Sequence, residues 1–144
     1  MAKNAPFLWA FQAAGAAPLV LGHPVPNPET VATAIRIGDP ASTTLAVAAK
    51  EESGGRFGAV TDEEILAAQG FLAAREGVFV EPASAASVAG LLQAAADGLV
   101  VRDDVVVCTV TGHGLKDPQR AVSEVEVGET MPAAADAVAE AIGL

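Results

Sequence analysis

Residues 105–110, Val-Val-Val-Cys-Thr-Val, run directly into Thr111-Gly112-His113-Gly114. A short uncharged run rich in β-branched residues predicts a buried strand. A hydroxyl and two glycines therefore stand where a strand gives way to a loop. In open α/β sheets, ligands bind just outside the carboxyl ends of strands. The loop opened by Thr111 is thus the first place to look for a ligand-facing wall.

The rest of the chain alternates between helix-like and strand-like segments, with no linker and no repeat. Residues 11–17 read as the end of a helix and 18–21 as a short strand. Asn27-Pro28-Glu29 has the form of a helix start: a side-chain cap, a proline in the first turn and an acid near the positive dipole end. That helix is expected to carry Val31, Ala34 and Ile35. Asp39-Pro40 predicts another, running to about Glu52 and stopped by Ser53-Gly54-Gly55. A strand is expected over 56–60. Thr61-Asp62-Glu63-Glu64 is a capping box, and the helix behind it places Ile65, Ala68 and Leu72 on one stripe. Gly77 ends that helix, 78–80 reads as a strand, and 82–96 is an alanine-rich helix with Ser84 as its cap. A short edge strand is expected over 125–127, and Thr130 with Pro132 opens a last helix to Ile142. This order predicts a single α/β domain over 1–144, three-layered, with a mostly parallel sheet and helices on both faces.

Composition narrows the function. The chain has 144 residues, enough for a substantial core. Half are hydrophobic but only 4% are aromatic, so alanine dominates and helices can approach closely. A formal charge of -10 argues against nucleic acid as a partner. No apolar run reaches the roughly 18–20 residues of a membrane span. The start carries Lys3 and an apolar stretch to Leu21, but Gln12, Gly15 and Pro18 interrupt it, so no signal peptide is expected. The lone Cys108 allows no disulfide within one chain, which suits a reducing, cytoplasmic setting. It reads as a small buried hydrophobe rather than a nucleophile. Two isolated histidines, His23 and His113, do not make a metal site.

Three segments taken together carry a resemblance. They are NPETVATAIRIGDPAS over 27–42, VEPASAASVAGL over 80–91 and TGHGLKDP over 111–118. Their order and spacing resemble the carboxyl-terminal part of bacterial threonine synthases, a family of fold-type-II pyridoxal phosphate enzymes. The stretch FQAAGAAP, 11–18, resembles that family too. The likeness covers 9–144 and leaves 1–8 outside it. It implies the large-domain fold of those enzymes and the conversion of O-phosphohomoserine and water into threonine and phosphate. It also implies that Thr111 faces the pyridine nitrogen of the cofactor. A neutral hydroxyl can hydrogen-bond that nitrogen without forcing its protonation. Gly112 and Gly114 would let the backbone come close to the ring.

The departures are as informative. The family's Schiff-base lysine lies in a Ser-x-Lys-Asp-Arg segment, and its phosphate cradle in a Gly-Asn-Ala-Gly-type loop; neither occurs here. Of the three lysines, Lys3 is near the terminus, Lys50 precedes two glutamates, and Lys116 has a carboxylate, Asp117, beside it. A Schiff-base lysine needs burial or a neighbouring cation, so no catalytic residue is assigned. His113, and Glu81 with Ser84, are weighed as pocket walls against plain loop packing and helix capping. Arg36 is expected to pair with Asp39, or to hold an anionic substrate. The reading is a carboxyl-terminal piece of threonine synthase, carrying one wall of the cofactor site and inactive alone. Two alternatives stay open: a non-catalytic, self-assembling α/β domain, and a half-enzyme complemented by a separate amino-terminal chain. A homo-oligomer is expected, with the missing amino-terminal part of the enzyme as the other partner.

Overall fold

A computed structural model describes residues 5–118, 122 and 130–143. Its elements are β1 (Trp9–Ala13), α1 (Pro18–Leu21), α2 (Thr43–Ser53), β2 (Arg56–Val60), α3 (Asp62–Phe71), α4 (Pro82–Ala96) and α5 (Ala135–Ala141). The strands β1 and β2 pair in parallel, with Trp9 opposite Arg56 and Ala13 opposite Val60. Helix α4 packs against both strands and against α3. The expected α/β class is therefore found, with a two-stranded sheet among the described residues.

Small residues explain how α4 lies so near the sheet. The Phe11 ring rests where a side chain at Gly90 would have to be. Ala85, Ala86, Ala89 and Ala94 are buried on the same helix, facing a core that includes Val60, Ile65, Ala68 and Leu72. Ile65 and Val60 are wholly buried. Each such side chain contributes on the order of 1.5–3 kcal/mol by leaving water.

Several expected elements form as read. Thr61 Oγ1 accepts from the Glu64 N–H at 3.2 Å, and the Glu64 carboxylate accepts from the Thr61 N–H at 2.7 Å. The stripe Ile65, Ala68, Leu72 is buried. The helix continues as a π-helical turn, Leu72–Glu76, and ends on Gly77 with φ of +66°. Helix α4 spans the predicted residues, though its N-cap is Glu81 and not Ser84.

Others do not. Of the segment predicted as a helix end, 11–13 belong to the strand β1 and Ala14–Ala16 form a 3₁₀ turn, and the segment predicted as a strand is the helix α1. The deciding signals are Pro18 at its first turn and Gly22, left-handed at φ of +76°, as its C-cap. The helix expected from Asn27 reduces to a 3₁₀ turn, Thr33–Ile35. Asp62 is the physical reason: its carboxylate accepts from the Val31 N–H at 3.0 Å and from the Thr30 hydroxyl. The Thr30 hydroxyl oxygen in turn accepts from the Ala32 N–H. Local side-chain bonds have thus displaced the helical ladder. Helix α2 begins at Thr43, not at Asp39. The last helix begins at Ala135, later than Thr130. The expected edge strand over 125–127 lies outside the described residues.

The largest correction concerns 105–110. No strand forms there, and Val105 and Val107 are 94% and 86% exposed. β-Propensity needs a neighbouring strand to pair with, and among the described residues this run has none. What anchors it is α4. Ser87 Oγ donates to the Thr109 carbonyl at 3.2 Å, and the Cys108 thiol points at the Ser87 carbonyl. Cys108 is consequently half-buried, and burial pushes its thiol up from the ordinary value. The reactive species is the thiolate. Alkylation by iodoacetamide near pH 8 is therefore expected to run several-fold slower in the folded chain than in urea; equal rates would show that 105–110 does not rest on α4.

Candidate functional site

The first turn of α4 and the loop after residue 110 meet at one place. Val80 forms an antiparallel bridge with His113. The Glu81 N–H donates to the Gly112 carbonyl at 3.0 Å, and the Gly114 N–H to the Phe79 carbonyl at 3.1 Å. These bonds clamp 79–81 against 112–114. The Gln69 side chain secures the same strip from below, donating to the Val80 carbonyl at 2.8 Å.

Ser84 completes the clamp from the helix side. It is 3% exposed. Its hydroxyl oxygen accepts from the Gly112 N–H at 2.6 Å and from the Thr111 N–H at 3.2 Å. Thr111 Oγ1 stands 3.4 Å from Ser84 Oγ. Thr111 itself is exposed, whereas Gly112 and Gly114 are buried. The structure thus brings together all three predicted site residues, with Thr111 exposed beside the two buried glycines.

Each glycine is pressed by the chain's own side chains. A Cβ at Gly112 would collide with the Glu81 carboxylate, and one at Gly114 would enter the Phe79 ring. Glu81 is buried, with Lys116 Nζ 3.6 Å from Oε1 on the solvent side. His113 stacks edge-on against Phe79, ring centres 5.4 Å apart, and its Nδ1 accepts from the Leu115 N–H. These are loop-packing roles for His113, and nothing in the sequence singled out its partner Phe79. Ser84 was legible as a polar residue in a helix's first turn, but not as the acceptor for a loop 27 residues away.

Each of the two described lysines stands beside a carboxylate. Lys116 is 64% exposed at its side chain, and Lys50 lies 3.9 Å from Glu51 and over the Phe57 ring. Lys3 is outside the described residues. Arg36 and Asp39 do not form the expected ion pair among the described residues. No group of histidine, cysteine and carboxylate side chains among them is arranged to hold a metal. No described helix is long and apolar enough to cross a membrane.

A family model described as pyridoxal-phosphate dependent enzyme matches residues 2–112, a stretch that takes in 2–8 as well. The chain belongs to this family. Threonine synthase from Mycobacterium leprae (strain TN) is 60% identical over 139 residues, which are 96% of this chain and 39% of that protein. Threonine synthase from Halalkalibacterium halodurans is 54% identical over 122 residues, 85% of this chain and 34% of that protein. The chain therefore spans well under half the length of these relatives. Among solved structures, a threonine deaminase from T.th. superposes with a TM-score of 0.51 at 24% identity, over 61% of this chain and 34% of that one. That likeness concerns the fold.

Pyridoxal phosphate, the cofactor the family implies, fits these residues along one edge. Thr111 is exposed and would offer it a hydroxyl, while the sides of Gly112 and Gly114 that lack a Cβ face the chain's own Glu81 and Phe79. Gly112→Ala should disturb this arrangement most directly, because the new methyl must evict the Glu81 carboxylate. A loss of about 1–3 kcal/mol in stability is expected, by analogy with overpacked cores. Urea unfolding measures it, and an unchanged midpoint would mean that Glu81 does not press on Gly112.

Proposed function

We propose that this chain supplies one wall of the pyridoxal phosphate site of a threonine synthase, acting on O-phosphohomoserine and water to give threonine and phosphate. The observation that carries the reading is the exposed Thr111 at the head of the clamped loop, in a chain 60% identical to such an enzyme over 96% of its length. Thr111 would hold the ring nitrogen of the cofactor, and Gly112 and Gly114 would keep the wall flat beside the ring. When bound, pyridoxal phosphate supplies the electron sink for chemistry at the substrate's carbon atoms. The chain's own contribution is to bind one edge of that ring and orient it. The setting is cytoplasmic, in keeping with a single free cysteine.

Alone, the chain is expected to release no threonine from O-phosphohomoserine. Covalent catalysis and phosphate anchoring need groups that these residues do not provide. Borohydride treatment in the presence of pyridoxal phosphate should leave no stoichiometric addition at an internal lysine, as read by intact mass. Threonine release that disappears in Lys116→Ala would overturn the reading and make Lys116 the reactive group.

A second element of the proposal is assembly. Val105, Val106, Val107 and Val110 are exposed on a segment with no strand partner among the described residues. Unpaired extended backbone is a template for another chain, and a contiguous apolar patch favours being covered. The favoured state is a homo-oligomer, most simply a two-fold dimer. The remainder of a threonine synthase is the other partner that this face would accept. Sedimentation equilibrium at micromolar concentration should give twice the chain mass. A strict monomer with cooperative unfolding would favour a self-sufficient, non-assembling domain.

A further inference from the structure

Among the described residues, Glu81 is the single charged residue that is buried. A carboxylate taken out of water is costly unless something pairs with it. Two features offset the cost here. Glu81 is the N-cap residue of the 15-residue helix α4, at the end where the helix dipole favours an anion. Lys116 Nζ stands 3.6 Å from its Oε1 and covers it from the solvent side. We infer that this ion pair is a latch. Lys116 is a positioning residue that fastens the turn Gly114–Lys116 to the first turn of α4, and screening its charge releases the turn while the core stays folded.

Internal bonds make the turn one piece. The Lys116 N–H donates to the His113 carbonyl at 3.0 Å, the Asp117 N–H to the Gly114 carbonyl at 3.1 Å, and the Leu115 N–H to His113 Nδ1 at 3.2 Å. All three lie inside 113–117 and survive any swing of the turn as a whole. Its near end is tied by the Gly114 N–H to the Phe79 carbonyl, with the Phe79 ring against Gly114. At its far end the Lys116 side chain reaches back to α4. An opening there tilts the turn about residues 112–114, and the Gly114–Phe79 bond is the first to feel it.

The separation decides what kind of latch this is. A directional N–H···O bond spans roughly 2.7–3.2 Å, so at 3.6 Å the attraction is chiefly between the two charges. The Lys116 side chain is 64% exposed, on a flexible stem, and its charge is open to salt. The Glu81 side chain is 9% exposed and cannot turn to water in its place. On the loop side its carboxylate fills the space where a side chain at Gly112 would be. With Lys116 neutralised, Glu81 is left as a buried charge with no cation beside it, and lifting the turn to admit water relieves it. An arginine at 116 keeps the latch, and a neutral side chain of similar length does not.

The test follows amide hydrogen exchange by NMR in the full chain at neutral pH, without cofactor, so its failure leaves the proposed wall untouched. Gly114, bonded across to Phe79, reports opening of the turn, and Ala68, buried in α3, reports the core. At low salt, Lys116→Met should speed exchange at Gly114 roughly threefold or more, the scale of an ion pair with one partner exposed, and leave Ala68 unchanged. Lys116→Arg should keep the wild-type rate. Raising sodium chloride from about 0.01 M to about 1 M shortens the screening length from about 30 Å to about 3 Å. That should bring wild-type Gly114 to the rate of Lys116→Met, whose own rate should not respond. Glu81→Gln keeps the shape against Gly112 and removes the charge, so adding Lys116→Met to it should change nothing further. Unchanged Gly114 exchange in Lys116→Met overturns the inference. So does an equal acceleration in the Glu81→Gln background, or one that Ala68 shares, which would make the pair a part of overall stability. Should Glu81→Gln not fold, the wild-type salt series decides alone: Gly114 exchange independent of salt overturns the latch.

Discussion

The close approach of α4 to the sheet is the contact on which the rest of the molecule depends. With few aromatics in the chain, one phenyl ring does a large share of the filling, and it does so because Gly90 has no side chain in its way. Shape matching of this kind sets where the helix axis lies. Once the axis is set, the first turn of α4 has no freedom to wander, and everything hung on that turn inherits its position.

Two things hang there. Glu81 and Ser84 are three residues apart, so they lie on the same face of one turn. One presses on Gly112 through its side chain, and the other captures its N–H. The loop after residue 110 is therefore shaped by a helix more than by a sheet. This separates two properties that usually travel together. The orientation of Thr111 depends on α4, whereas the exposed valines before it depend on whatever covers them.

Legibility in the sequence followed the range of the interactions involved. The capping box at Thr61 and Glu64, the stop at Gly77 and the extent of α4 are set by residues within a few positions of one another, and all could be read directly. The helix read from Asn27 failed because Asp62, some thirty residues away, offers those backbone groups a better acceptor. The strand read at 105–110 failed because a strand is a property of a pair, and one run of valines carries no information about its partner. The exchange of helix and strand around residue 17 is a different kind of miss. Pro18 and Gly22 bracket α1 plainly, and the alanines between strand and helix obscured the boundary. At the site, the glycine spacing showed where a flat turn would be, and nothing local to Ser84 showed that it would serve that turn.

The π-helical turn over Leu72–Glu76 has its own consequence. Each residue of a helix advances the chain by about 100°, so a turn that carries an extra residue re-aims all that follows it. Here it is followed by Gly77 and by the Val78 N–H reaching back to the Leu72 carbonyl. The strip that comes next places Phe79 on Gly114 and Val80 in the core. Loss of a single residue from 72–76 would tighten the turn and rotate that strip away from the loop it grips. The grip of the strip on the loop thus depends more on the length of this turn than on the identity of the exposed residues within it.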